Sequence, residues 1–166
     1  MLMVAVCGVL AAHAFSAHAD DAAIAPPPGA ALLLRVNGDG VQIYACEATD
    51  KGSAWVFKAP EAMLFDGDDR QIGTHYAGPT WKLDDGSTVV GEVAARADAP
   101  SQVDIPWLLL RAKAHNGAGT LSHAAYIRRI ETQGGIALKS GCDAAHIGDQ
   151  ARMRYSAVYE FYAAPK

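Results

Sequence analysis

From residue 32 onward, apolar and polar positions alternate in short runs that turn residues interrupt. Residues 32–36 read as a buried strand. Asn37-Gly38-Asp39-Gly40 supplies residues that tolerate positive φ, and 41–46 alternates again, so the pattern predicts a hairpin. Residues 54–58 are strand-like, Pro60 interrupts them before 62–65, and Asp66-Gly67-Asp68-Asp69 is a further turn. Gly78-Pro79 and Asp85-Gly86 then separate short runs at 71–76, 80–83 and 88–93, and Asp-Gly between alternating residues is a strong hairpin signal.

Farther along, Leu108, Leu110, Ala112 and Ala114 alternate with Leu109, Arg111, Lys113 and His115, the period of a strand with one wet face. Residues 125–132 form another such run. In the last one, Met153, Tyr155, Ala157, Tyr159 and Phe161 fall on one face. The pattern predicts an all-β fold, a single-domain antiparallel sandwich or barrel of about nine or ten short strands, with the last strand placed to pair with the first. The Ala-rich stretches 93–99 and 143–147 are the places for one short helix.

The amino-terminal part changes the picture of where the protein resides. An apolar run over residues 2–12 precedes Ala17-His18-Ala19, a small-x-small cleavage pattern, so residues 1–19 read as a secretory signal peptide although a positively charged n-region is missing. The run is shorter than the roughly 20 residues of a spanning helix, so no membrane span is expected after cleavage. Residues 20–30, with Pro26-Pro27-Pro28-Gly29, read as an extended Pro-rich leader and not as a packed element. Residues 31–166 make the single β domain. The expected location is periplasmic or secreted.

Cys46 and Cys142 remain after the signal. In an exported protein an even pair is most simply a disulfide, closing a loop of about 95 residues for roughly 4–5 kcal/mol in the chain-entropy view; a shared metal site and two reduced thiols are the alternatives. The net charge of −4 carries no electrostatic footprint for nucleic acid.

Candidate chemistry is sparse. His75, His115, His123 and His146 show no paired ligand spacing. A metal site built on His75 with His123 or His146 is the weak possibility, and no other cofactor is expected. A backbone hydrogen bond that fixes the loop at Gly78-Pro79 is the structural role open to His75. No Gly-x-Ser-x-Gly elbow surrounds Ser87, Ser122 or Ser140, and the adjacent Asp84 and Asp85 suit a turn. Asp66-Gly67-Asp68-Asp69 lacks the spaced ligands of a calcium loop. Tyr76, Trp81 and Trp107 would make a small-molecule site if they lined a concavity. Arg128 and Arg129 take opposite faces of their strand, so one is available to pair inward with a carboxylate or to meet an anionic ligand.

Several of these segments recur together. The runs 40–46, 75–81, 85–87, 105–110, 126–129, 132–135 and 141–142 resemble, in order, the exported bacterial and fungal proteins grouped as domain-of-unknown-function family 3455, over about residues 34–162. The resemblance implies export and architecture but no established activity. Some fungal members carry a malate dehydrogenase label, yet this chain has no Gly-x-Gly-x-x-Gly opening a helix after a strand.

The reading leans toward a non-enzymatic exported β-domain protein that binds a small or envelope-associated ligand near 75–81, with His75, Tyr76, Trp81, Trp107 and Arg128 as the candidate contacts. The alternatives are a metal-dependent enzyme or redox protein centred on His75, and a structural or stress-associated envelope protein.

Overall fold

A computed structural model describes residues 19–166. The expected signal segment lies outside the described residues apart from Ala19. A short helix α1 (Ala19–Ala23) precedes eight strands: β1 (Ala31–Thr49), β2 (Gly52–Phe65), β3 (Gln71–Tyr76), β4 (Thr80–Leu83), β5 (Thr88–Ala97), β6 (Trp107–Asn116), β7 (Tyr126–Gly134) and β8 (Gln150–Ala163). Each strand pairs with its sequence neighbours, and β8 pairs with β1, so the sheet is a closed up-and-down barrel. The β1–β8 ladder runs antiparallel from Ala31↔Ala163 to Ala45↔Gln150. Closure removes the free edges that invite aggregation.

The strand count is eight because two predicted interruptions are not interruptions. Asn37-Gly38-Asp39-Gly40 does not turn; it lies in the middle of the 19-residue β1, paired with β2 on one side and β8 on the other. Neither Gly38 nor Gly40 has a positive φ. Both serve close approach instead: a Cβ on Gly38 would lie 2.6 Å from the Tyr159 ring, and one on Gly40 would lie 2.1 Å from the Glu61 carbonyl oxygen. Pro60 likewise sits within β2, opposite Gln42. It is tolerated there because the β2–β3 ladder ends at Ala62↔His75, which leaves Pro60 with a neighbouring strand on one side only.

The true turns are the other ones. Gly78 (φ 120°) and Gly86 (φ 86°) carry the β3–β4 and β4–β5 connections. Asp66 closes the β2–β3 turn by accepting the Asp68 and Arg70 amides on one carboxylate oxygen. The two Ala-rich stretches expected to hold a helix do not: 93–97 belongs to β5, and 143–147 is turn. A 3-10 helix (Thr120–His123) forms between β6 and β7 instead.

Alternation puts Val36, Leu64, Trp81, Val89, Leu110, Ile127, Tyr155, Tyr159 and Phe161 in one interior cluster. Arg35, Asp39, Arg152 and Arg154 lie exposed between these inward positions on β1 and β8. An apolar interior with a charged exterior is the reverse of a membrane-spanning barrel. No helix among the described residues is long and apolar enough to cross a membrane.

One sector of the outer wall is also covered. Ile24, from the segment expected to be an unpacked leader, is fully buried against Ala97, Leu109, Ile130 and Val158. Asp21 pairs with Arg128, whose guanidinium also meets Glu160 at 3.1 Å. Glu160 in turn accepts Arg35 at 2.5 Å. The leader is thus a packed strap, held by one apolar anchor and an ion-pair ladder.

Cys46 and Cys142 form a disulfide spanning 96 residues. It ties the end of β1 to the loop before β8. Two backbone bonds flank it, from the Cys46 amide to the Asp149 carbonyl (2.8 Å) and from the Gly148 amide to the Cys46 carbonyl (2.9 Å).

Candidate functional site

The up-and-down course gives the barrel two unlike ends. At one end, where β4 turns into β5 and β6 into β7, the 3-10 helix lays the fully buried Leu121 across the opening. Asp85 clamps this plug: one carboxylate oxygen accepts the Ser87 amide (2.8 Å) and hydroxyl (2.5 Å), and the other accepts the Thr120 amide (2.8 Å). The Ser87 hydroxyl and the Thr120 and Ser87 amides hold the Asp85 carboxyl down to about 2, against an ordinary 3.8. Asp85 is therefore a turn and closure residue.

At the other end the interior is not filled. A cavity of about 490 Å³ lies there, within the roughly 300–1,000 Å³ range of small-molecule sites. Its walls are Gln42 and Tyr44 from β1, Phe57 and Pro60 from β2, His75 and Trp81 from β3 and β4, Leu108 and Leu110 from β6, Arg129 from β7 and Tyr159 from β8. Because β3 ends at Tyr76 while β2 continues back to Gly52, the wall thins between these strands. Lys58 and Pro60 of β2, Gly78 and Pro79 of the β3–β4 turn, and the exposed Arg96 of β5 also line the cavity.

His75 and Trp81 are register partners across β3 and β4, so both face inward, and their rings stack at 4.4 Å with an interplanar angle of 10°. Tyr159 meets both rings edge-on. His75 Nδ1 lies 2.9 Å from the Thr80 carbonyl oxygen; since a carbonyl only accepts, Nδ1 carries the proton and Nε2 is left as an acceptor. Burial drives the His75 imidazole down to about 3, against which the Thr80 bond works only in part.

This yields a prediction. Between pH 6.5 and about 3 the unfolded chain binds a proton at His75 that the folded chain refuses. Stability contributed by the neutral ring is full above that window and falls, by up to about 1.4 kcal/mol per pH unit, as pH drops through it. Nitrogen-15 NMR of the ring is expected to show the Nδ1–H tautomer with no titration from pH 8 to pH 4.5; a midpoint near the ordinary 6.5 would contradict the buried placement.

Arg129 is the notable polar group of the cavity. Its Nε and Nη2 donate to the Pro106 carbonyl at 3.2 and 2.8 Å. Among the described residues it has no carboxylate partner, whereas Arg35, Arg70, Arg128, Arg152 and Arg154 all do. Burial works against its charge, and nearby Tyr159 and Tyr155 favour it. Those phenols are not anions: burial pushes both above their usual range. Their hydroxyls bond each other at 3.0 Å, and the Tyr44 hydroxyl donates to the Gly135 carbonyl at 2.7 Å.

Of the residues singled out from sequence, His75 and Trp81 line the cavity. Tyr76, next to His75 on the same strand, is exposed on the outer face. Trp107 packs in the outer cluster beneath the strap, and Arg128 is the strap's ion-pair partner. His123 is exposed beside the plug, and His146 lies in the loop before β8, where it bonds Asp143. The histidines are not drawn together: no three His, Cys, Asp or Glu side chains among the described residues converge as a metal site would require. Gln42, Tyr44, Arg129 and Tyr159 went unselected. Alternation points to Gln42 and Tyr44, which share a face with Cys46, and to Tyr159, which shares one with Phe161, but on β7 it leaves Arg128 and Arg129 undecided.

The molecule is thus a closed eight-stranded antiparallel barrel, plugged at one end and holding a cavity toward the other. A family model described as protein of unknown function (DUF3455) matches residues 26–163, and the chain belongs to that family. No curated protein and no solved structure matches it.

Proposed function

We propose that this protein is a non-enzymatic carrier or sensor that takes one small, largely apolar ligand into the barrel. The observation that supports this reading is the cavity walled by Trp81, Tyr44, Phe57, Leu108 and Leu110, with few polar groups among them. Eight strands enclose room either for packed side chains or for one small ligand, and here side chains fill only part of the interior. No nucleophile with an adjacent base lines the cavity, and the neutral His75 is engaged with a backbone carbonyl. The reading places the protein outside the cytoplasm, in keeping with the apolar amino-terminal segment and the disulfide.

The test is titration with the uncharged fluorophore N-phenyl-1-naphthylamine, following transfer of tryptophan emission. Saturable one-to-one uptake is expected. It should weaken in Leu110→Phe, whose larger side chain takes up part of the cavity. A wild-type protein that takes up none of the probe would count against the reading.

A further inference from the structure

We infer that the ligand is an anion, a compact apolar body bearing one carboxylate, and that Arg129 is the residue that receives its charge. The inference rests on the cavity reading above and adds the ligand's chemical class. Three cationic side chains, Lys58, Arg96 and Arg129, line the cavity, and no Asp or Glu does. Lys58 is committed to Glu47 at the surface. Arg129 is the deepest of the three, held by two donors on the single Pro106 carbonyl.

A guanidinium keeps its proton at any physiological pH, and an ion withdrawn from water without a counter-ion is costly. Carboxylates partner Arg35, Arg128 and even the well-hydrated Arg70 and Arg152, while Arg96 and Arg111, which have no such partner among the described residues, are exposed to water. Inside the barrel the neighbouring groups are the Tyr44, Tyr155 and Tyr159 phenols, which stay neutral, and Arg96, whose like charge works against that of Arg129. The missing half of the pair is supplied by whatever enters. A guanidinium edge suits a carboxylate because two parallel N–H groups meet two oxygens. The aromatic and aliphatic walls then cover the rest of the molecule. A polyanion would fit poorly, since one cation lies at depth and the walls around it are apolar.

The experiment compares 4-phenylbutanoate with the isosteric, uncharged 4-phenylbutanamide, each displacing bound N-phenyl-1-naphthylamine. In the wild type the acid is expected to bind roughly tenfold to a hundredfold more tightly than the amide, the range of a charge-assisted hydrogen bond. In Arg129→Gln that preference should vanish, acid and amide then displacing the probe equally when each is referred to the variant's own probe affinity. Equal affinities for acid and amide in the wild type would overturn the inference and leave the cavity reading intact. A preference that survives in Arg129→Gln would also overturn it, by placing the anion elsewhere. Failure of the neutral probe to bind the wild type removes the cavity reading and the inference with it. Should Arg129→Gln not fold, the wild type still decides: the Arg129 Nη–H resonances should move on adding the acid and not the amide, and unmoved resonances with acid bound reject the assignment.

Discussion

Replacing Trp81 with alanine is expected to lower the free energy of unfolding by about 3–5 kcal/mol, the range for deleting a buried aromatic ring. Trp81 is 1% exposed, and its ring touches three others: His75 in a parallel stack at 4.4 Å, Tyr159 at 5.5 Å and Phe161 at 5.9 Å, the last two edge-on. The ring is the partition between the packed half of the barrel and the cavity. Its removal would enlarge the cavity and leave the neutral His75 imidazole without its stacking partner. Trp81→Phe should cost less, because the indole Nε1–H finds no acceptor among the described residues and its loss forfeits no hydrogen bond. Urea unfolding monitored by far-UV circular dichroism measures both variants. A loss for Trp81→Ala below about 1 kcal/mol would mean that the indole is not part of the core.

The paired removal of the disulfide, Cys46→Ser with Cys142→Ser, is expected to cost about 2–5 kcal/mol. The bridge spans 96 residues, from the end of β1 to the loop before β8, so its absence frees a long stretch of the unfolded chain. It also acts locally. Cys46 is fully buried at the end of β1, and the flanking bonds with Gly148 and Asp149 hold the loop before β8 against that strand. Trp55 adds a bond from its Nε1–H to the Ser140 carbonyl at 2.9 Å. Reductant should shift the urea midpoint of the wild type toward that of the double variant and leave the variant unmoved. If reductant leaves the wild type unmoved as well, the bridge contributes nothing to stability. Peptide mapping without reduction should recover the two cysteines in one linked pair.

Both variants act on features that were open to a reader of the sequence to different degrees. The cysteine pair was legible because two cysteines beyond the expected signal leave each other as the simplest partner. The turns at Gly78-Pro79, Asp85-Gly86 and Asp66 were legible because their side chains and glycines satisfy the turn locally. The inward face of β8 was legible as well, and Tyr155, Ala157, Tyr159 and Phe161 are all buried.

The run Asn37-Gly38-Asp39-Gly40 was misleading, since glycine serves a positive φ and a close approach equally well. Only the rings and backbone across from Gly38 and Gly40 decide between them. A similar degeneracy hid Arg129. Period two separates Arg128 from Arg129 but does not say which faces in. On β7 the outer face is itself apolar, carrying Tyr126 and Ile130, because the strap with Ile24 covers it. Hydrophobicity therefore could not tell inside from outside there, and the strap reads in sequence as a plain Pro-rich leader.

By itself, then, the sequence determined what local chemistry controls: an all-β chain, its tight turns, the alternation within each strand and the two cysteines available to pair. These depend on neighbours within a few residues or on composition alone. Tertiary structure decided which of two equivalent faces became the interior, whether a glycine turned the chain or admitted a ring, and that Arg129 would sit beside an unfilled cavity. Those outcomes depend on side chains brought together from distant strands, and a strand's period is the same whichever face it buries.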